Sequence, residues 1–238
     1  MDTLAAVRLT AHLNALRHTP LSAEVAARAV VGEDAAHHVT DPEGLLGLDP
    51  LRASELDEAL RAALLLVDAD WVLVLPRPGA TGVLAGPPAL NAAAIEAGAV
   101  VLSASGGIAW LPHRVGPAVQ WQVTACRPPR LSQTPAEADR ALREVVLAAG
   151  RELAELELTP AERPDLTGIA LPAGYGSRAQ RAAARAWTLL QACEAALGDD
   201  GGVLHLHALQ ARSRVLNEVR RAATDVLCAA VSWTGRQG

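Results

Sequence analysis

Lysine is missing altogether: all 21 basic residues are arginine. A Walker-type phosphate lysine, a Schiff-base lysine and a Ser-Lys dyad are thereby excluded. Phenylalanine is absent too, and Tyr175 is the one tyrosine. With five tryptophans as the remaining aromatics, stacking platforms for single-stranded nucleic acid are poorly supplied. Cysteine is scarce and odd in number. Cys126, Cys193 and Cys228 are widely spaced and set in largely apolar surroundings, which suits buried thiols in a reducing compartment better than a disulfide framework. No stretch of about 18 residues is free of charge, Pro and Gly. The opening Met1-Asp2-Thr3 carries no basic region. Neither a membrane span nor a signal peptide is expected, and the expected location is the cytoplasm.

What is present is a chain of 238 residues, half of them hydrophobic, long enough to bury a core without a disulfide or metal staple. The Ala, Leu, Val and Arg richness without lysine fits a G+C-rich genome. The net charge is −5, unevenly spread. Residues 1–130 carry 9 Arg against 13 acids, 131–176 carry 4 against 8, and 177–238 carry 8 against 5. An excess of three positive charges in the last block falls short of the strongly basic surface that tracks phosphates, so nucleic acid is an unlikely partner.

Hydrophobic periodicity predicts an α+β protein. Leu4, Val7, Leu9, Leu13 and Leu16 predict an amphipathic helix over 3–17, ended by Thr19-Pro20. In the stretch from Glu24 to Thr40, Val25, Ala27, Ala29 and Val31 alternate, and the reading is a β-hairpin turning at Gly32-Glu33-Asp34. Asp49-Pro50 and Ser54 offer N-caps for a helix with Leu56, Leu60, Ala63, Leu64 and Val67 on one side. The apolar run Trp71-Val72-Leu73-Val74-Leu75 predicts a strand covered on both faces. A short helix over 89–97 follows, with Pro88 in its first turn and Gly98 past its end, and then a second buried strand at 99–103. From Ile108 to Cys126 the alternation of Val119, Trp121, Val123 and Ala125 with Gln120, Gln122, Thr124 and Cys126 predicts a hairpin bent at Gly116-Pro117, with one wetter face.

Residues 126–134, with Pro128 and Pro129, mark the expected boundary between a mixed part, 1–130, and a helical part, 131–238, which could also form one continuous domain. Thr134-Pro135-Ala136-Glu137 is a capping box with Pro at the first helical position. The helix it opens carries Leu142, Val145, Val146, Ala149, Leu153 and Leu156 on one face, and 159–176 reads as a linker. Ser177 is expected to cap the next helix, with Ala179, Ala183, Ala186, Trp187, Leu190, Cys193 and Leu197 as its stripe. After a turn at Asp199-Asp200-Gly201-Gly202, residues 207–233 show Leu209, Arg212, Leu216, Val219, Ala223, Val226 and Ala230 in alternating spacings of 3 and 4. These last two helices are expected to form a long antiparallel hairpin.

Candidate sites are few. The loop 77–88 lies between a strand and a helix N-terminus, and Arg77, Gly79, Thr81, Gly82 and Gly86 could hold an anion there, Arg77 being the cation. Its glycine spacing matches neither a dinucleotide fingerprint nor a P-loop, and an ordinary connecting loop is the bland reading. His205 and His207 form an HxH pair without a third ligand in view. His37-His38 lie beside Glu33, Asp34 and Asp41, but neighbouring strand residues point to opposite faces. Surface or capping roles are the commoner fate of such histidines, and whether either pair binds metal is left open. Ser103-Ala104-Ser105-Gly106-Gly107 lacks the GxSxG-then-helix context of a nucleophile elbow. Arg178, Arg181 and Arg185 share one helix, and Arg212, Arg214, Arg220 and Arg221 the next, as solvated faces or as a surface for an acidic partner.

Through Trp71-Val72-Leu73-Val74-Leu75-Pro76-Arg77-Pro78-Gly79, Gly86-Pro87-Pro88-Ala89-Leu90-Asn91 and Ala196-Leu197-Gly198-Asp199-Asp200-Gly201-Gly202, the chain resembles a family of uncharacterised actinobacterial proteins. The resemblance covers much of the chain, implies no activity and carries over no catalytic residue.

The expectation is therefore an N-terminal mixed sheet with short helices, followed by a helical hairpin plus one further helix. The function expected first is that of a non-enzymatic interaction or scaffold protein, meeting a protein partner or a second copy through residues 178–233, with no membrane partner. The alternative is a small-molecule or nucleotide-phosphate binder, possibly an enzyme, using 77–88. No catalytic residue, metal ligand or cofactor is assigned.

Overall fold

The first helix, α1 (Thr3–His18), carries apolar residues on more than one stripe, and Ala5, Ala6, Val7, Leu9, Ala11, Leu13, Ala15 and Leu16 are all buried. A helix apolar on most sides is enclosed on most sides. The computed structural model to which it belongs describes residues 2–130, 133–156, 164–198 and 206–232, with the backbone alone at 206 and 207. The chain folds as two units. The first comprises residues 1–132 together with 171–175 and 231–238, and the second comprises 133–170 and 176–230.

In the first unit α1 is followed by α2 (Ala23–Val31), β1 (His37–Thr40), β2 (Ser54–Glu55), α3 (Leu56–Leu66), β3 (Trp71–Val74), α4 (Pro88–Ala97), β4 (Val100–Ser103), β5 (Ala109–Val115) and β6 (Ala118–Thr124). The strands make one sheet in the order β2-β1-β6-β5-β4-β3, in which β1 and β6 are parallel and every other pair is antiparallel. Period-2 alternation sorts the side chains between two layers. Val72, Val74, Val100, Leu102, Ala109 and Leu111 meet Leu90 and Ala94 of α4. On the other face Trp71 and Trp110 pack edge to face at 6.3 Å, and α1 lies against β3 and β4. The far half of the α4 face, formed by β6 and β1, is only half-buried at His38, Thr40, Gln120, Gln122 and Thr124.

The segment expected to be a hairpin around Gly32 is largely helical. Ala23, Ala26, Ala27 and Val30 are buried at helical spacing, Ser22 Oγ accepts the Val25 amide, and Gly32, at φ 56°, ends the helix. Only His37–Thr40 is strand, and it pairs with β6. Alanine has the highest intrinsic helix propensity, and here it outweighed the alternation of two valines. Val25, placed on the buried strand face by that reading, is 45% exposed. The short helix ending at Gly98, which is left-handed at φ 72°, and the hairpin β5–β6 bent at Gly116 follow the periodicity.

The second unit contains α5 (Pro135–Glu155), α6 (Ser177–Gly198) and α7 (Leu206–Val231). The α5 capping box is complete: Thr134 Oγ1 accepts the Glu137 amide, and Glu137 Oε2 accepts the Thr134 amide at 2.8 Å. Residue Ser177 is the first residue of α6 rather than its cap, because the Gln180 amide bonds to the carbonyl of Gly176. Arg212, near the start of α7, donates to the carbonyl of Ala196, near the end of α6, so the two helices run antiparallel. Ala149 and Val145 of α5 and Cys193 of α6 pack with Val215, Leu216 and Val219 of α7. The hairpin's apolar stripe is thus covered in part by α5. The turn at 199–202, His205 and Trp233 lie outside the described residues.

Candidate functional site

The loop after β3 begins with a tight turn. The amides of Arg77 and Ala80 bond to each other's carbonyls, both at 2.9 Å. Pro78 and Gly79, the latter at φ 77°, occupy the two central positions, as in a type II turn. Thr81 and Gly82 are exposed, Gly82 has φ 60°, and Leu84 drops into the core beside α4. Gly86 is buried, has φ 103°, and is joined to Pro87 by a cis peptide bond. Helix α4 opens on Pro87 and Pro88, neither of which has an N–H, so its first turn has fewer amide donors than the sequence reading assumed.

A second segment flanks this loop. The Arg127 amide donates to the Gly86 carbonyl at 3.1 Å, and the Arg130 amide donates to the Val83 carbonyl at 2.9 Å. On its other side the segment touches the β4–β5 turn: Gly107 N–H donates to the Cys126 carbonyl at 2.9 Å. A methyl group on Gly106 would lie 2.7 Å from the ring of Pro128, so glycine is what lets the turn approach so closely. Arg127 and Arg130 are exposed, Arg77 is half-buried, and among the described residues neither Arg127 nor Arg130 has a carboxylate within ion-pair distance. The sequence marks 126–134 as a boundary between the mixed and helical parts. Its signal was Arg-Pro-Pro-Arg itself, an extended run whose only amide donors belong to the two arginines.

The other chemistry-bearing residues are bound into the fold. Trp121 Nε1 donates to His37 Nδ1 at 3.2 Å, so the ring proton sits on Nε2 and is donated to Asp34 Oδ2 at 2.9 Å. Arg114 donates to Asp34 at 2.6 Å and to Asp2 at 2.7 Å. Burial lowers the pKa of His37 below its ordinary value, partly offset by the hydrogen bond and charge of Asp34. For Asp34 burial acts upward, but hydrogen bonds from Arg114 and His37 outweigh it and the net shift is down. His38 faces the other side of the sheet, with Nδ1 3.7 Å from Glu55. The Asp41 carboxylate accepts the amides of Leu45, Leu46 and Leu48. The group suspected around His37-His38 is therefore dispersed, and among the described residues no three His, Cys, Asp or Glu side chains converge on one point.

Ser103 is buried and shares a hydrogen bond with Ser105 at 2.9 Å, in a turn that leads into β5. Burial pushes the Cys126 thiol up to about 11, far from a reactive thiolate. In the second unit Arg143 and Arg185 both hold the buried carboxylate of Asp139, Arg214 bonds to Glu152 and Glu218, and Arg178 and Arg181 are exposed.

No curated protein and no solved structure matches this chain. Two family models do, and together they cover nearly its whole length. By the match of the N-terminal domain to residues 6–136 and of the C-terminal domain to residues 136–228, the chain belongs to the Rv1486c-like protein family.

Proposed function

We propose that this chain is a non-enzymatic interaction protein whose helical unit docks an acidic protein surface, on a partner or on a second copy. The observation that carries the reading is the outer face of α5. Arg140, Arg143, Leu147 and Arg151 follow one another at spacings of 3, 4 and 4, so they share one side of the helix. Leu147 is 64% exposed and Val146, beside it, 37%. Within residues 178–233 the apolar stripe of α6 and α7 turns inward, and the outer positions are polar, with Arg178, Arg181 and Arg221 exposed. Arg143 is already paired to Asp139 and Glu144 lies on the same face, so the available cations are Arg140 and Arg151, and exposed Leu147 between them suits a partner that is apolar at its centre and carries acidic groups at its rim. Among the described residues no helix is long and apolar enough to cross a membrane.

A photo-crosslinking residue at position 147, read in cells, tests this. An adduct at 147 that is absent from a control at exposed Leu65 supports the reading, and light scattering over a range of protein and salt concentrations tells a second copy from another protein. A monomer at every concentration, with no adduct at 147, overturns it.

A further inference from the structure

We propose that Arg127 and Arg130, laid against the loop 77–88, form a binding site for a small molecule carrying a diphosphate group. Between residues 71 and 130 the chain holds four arginines and a single carboxylate, Glu96, whereas residues 1–70 hold 12 acids against five arginines. Arg114 is neutralised by Asp2 and Asp34, but Arg127 and Arg130 face solvent with no carboxylate partner among the described residues.

Their backbone is fixed in advance. Both amides point at the loop, bonding to Gly86 and Val83, and the two residues between them are prolines with restricted φ. In a proline-rich extended segment residues three apart return to the same side, roughly 9 Å along the chain. The Cδ of Arg127 lies 4.0 Å from where a Cβ on Gly86 would stand, an ordinary contact distance, so its stem runs beside the loop at Gly86. Two planar forks on stems three residues apart in one stiff segment can converge on two linked phosphates, since each guanidinium can bind an anionic group bidentately.

The test uses the full chain with inorganic pyrophosphate, inorganic phosphate, and sodium chloride at matched ionic strength. Pyrophosphate is expected to raise Tm saturably and to bind by calorimetry, and the Arg127→Gln/Arg130→Gln variant is expected to weaken that binding roughly tenfold or more, as loss of charge-assisted bonds predicts. Both side chains are exposed, so the variant's ligand-free Tm should match the parent's and serves as the folding control. An equal shift in matched chloride overturns the site. Equal binding of phosphate and pyrophosphate overturns its two-group character. Binding that survives in this variant but is lost in Arg178→Gln/Arg181→Gln moves the anion to α6 and overturns the assignment.

Discussion

At an edge strand the outward-facing amides and carbonyls need partners, and β3 finds them in side chains. Asn14 accepts the Trp71 amide at 2.8 Å and donates to the Trp71 carbonyl at 3.0 Å, so its carboxamide imitates a neighbouring strand. Its Nδ2 also reaches the hydroxyl of Tyr175 and the carbonyl of Val231, and Ser232 Oγ accepts the Leu73 amide at 3.0 Å. Replacing Asn14 by Leu leaves two buried backbone groups unpaired. The expected cost is about 3 kcal/mol, read as a lower urea midpoint with an unchanged slope. His37 contributes a pH dependence with a definite sign. Its folded pKa lies below the ordinary 6.5, so both states are neutral above that pH and the stabilisation is complete there. As pH falls through 6.5 the unfolded chain takes up the proton first, and stability declines until the folded ring also titrates. Protonation of Nδ1 would also set two donors, the ring and Trp121, against each other. His12, lowered mainly by burial, acts in the same window, whereas Asp34 titrates at much lower pH. Urea midpoints are expected to drop between pH 7.5 and 5.5, at up to about 1.4 kcal/mol per pH unit for each histidine, and the His37→Gln variant should show a shallower decline.

At the scale of elements, local signals and tertiary ones separate cleanly. The start of α5 is local: Thr134 and Glu137 satisfy each other's amides, and the Thr134 hydrogen bonds lower the carboxyl of Glu137. Thr134→Ala should cost about 1 kcal/mol and speed hydrogen exchange in the first turn of α5. That box was readable because every atom in it lies within four residues. The α2 segment was misread because alanine accepts both periods, and what decided was the burial of Ala23, Ala26, Ala27 and Val30 in the first unit. The anion-binding reading of 77–88 was visible in the sequence only as a glycine-rich loop with Arg77. The contribution of Arg127 and Arg130 needed the backbone bonds to Val83 and Gly86, some 40 residues upstream, which no local pattern encodes.

At the scale of the whole molecule, the first unit is not a contiguous stretch of chain. Residues 171–175 and 231–232 return to it, and Tyr175, its hydroxyl donating to the Val231 carbonyl at 2.6 Å, joins Asn14 in closing the β3 edge. A fragment of residues 1–132 therefore lacks both Tyr175 and Ser232. It is expected to unfold at a lower urea midpoint than the first unit does in the full chain, and near-UV circular dichroism of Trp71 and its neighbours should report the loosened edge. The single variant Ser232→Ala isolates one of these bonds, with an expected loss of about 1–2 kcal/mol for the unpaired Leu73 amide. A fragment as stable as the full chain would show that the edge needs no cover from the C-terminal residues. The sequence by itself determined the α+β class, the spans of α1, α4 and α5, the β5–β6 hairpin and the inward stripe of the helical hairpin, because periodicity, caps and turn residues act over a few positions. Only the tertiary structure decided that β1 lies parallel to β6, that a proline-locked pair of arginines flanks the glycine loop, and that Asn14, Tyr175 and Ser232 seal an edge. Those choices rest on hydrogen bonds between groups far apart in the chain, and such groups meet only once the hydrophobic layers have set the geometry.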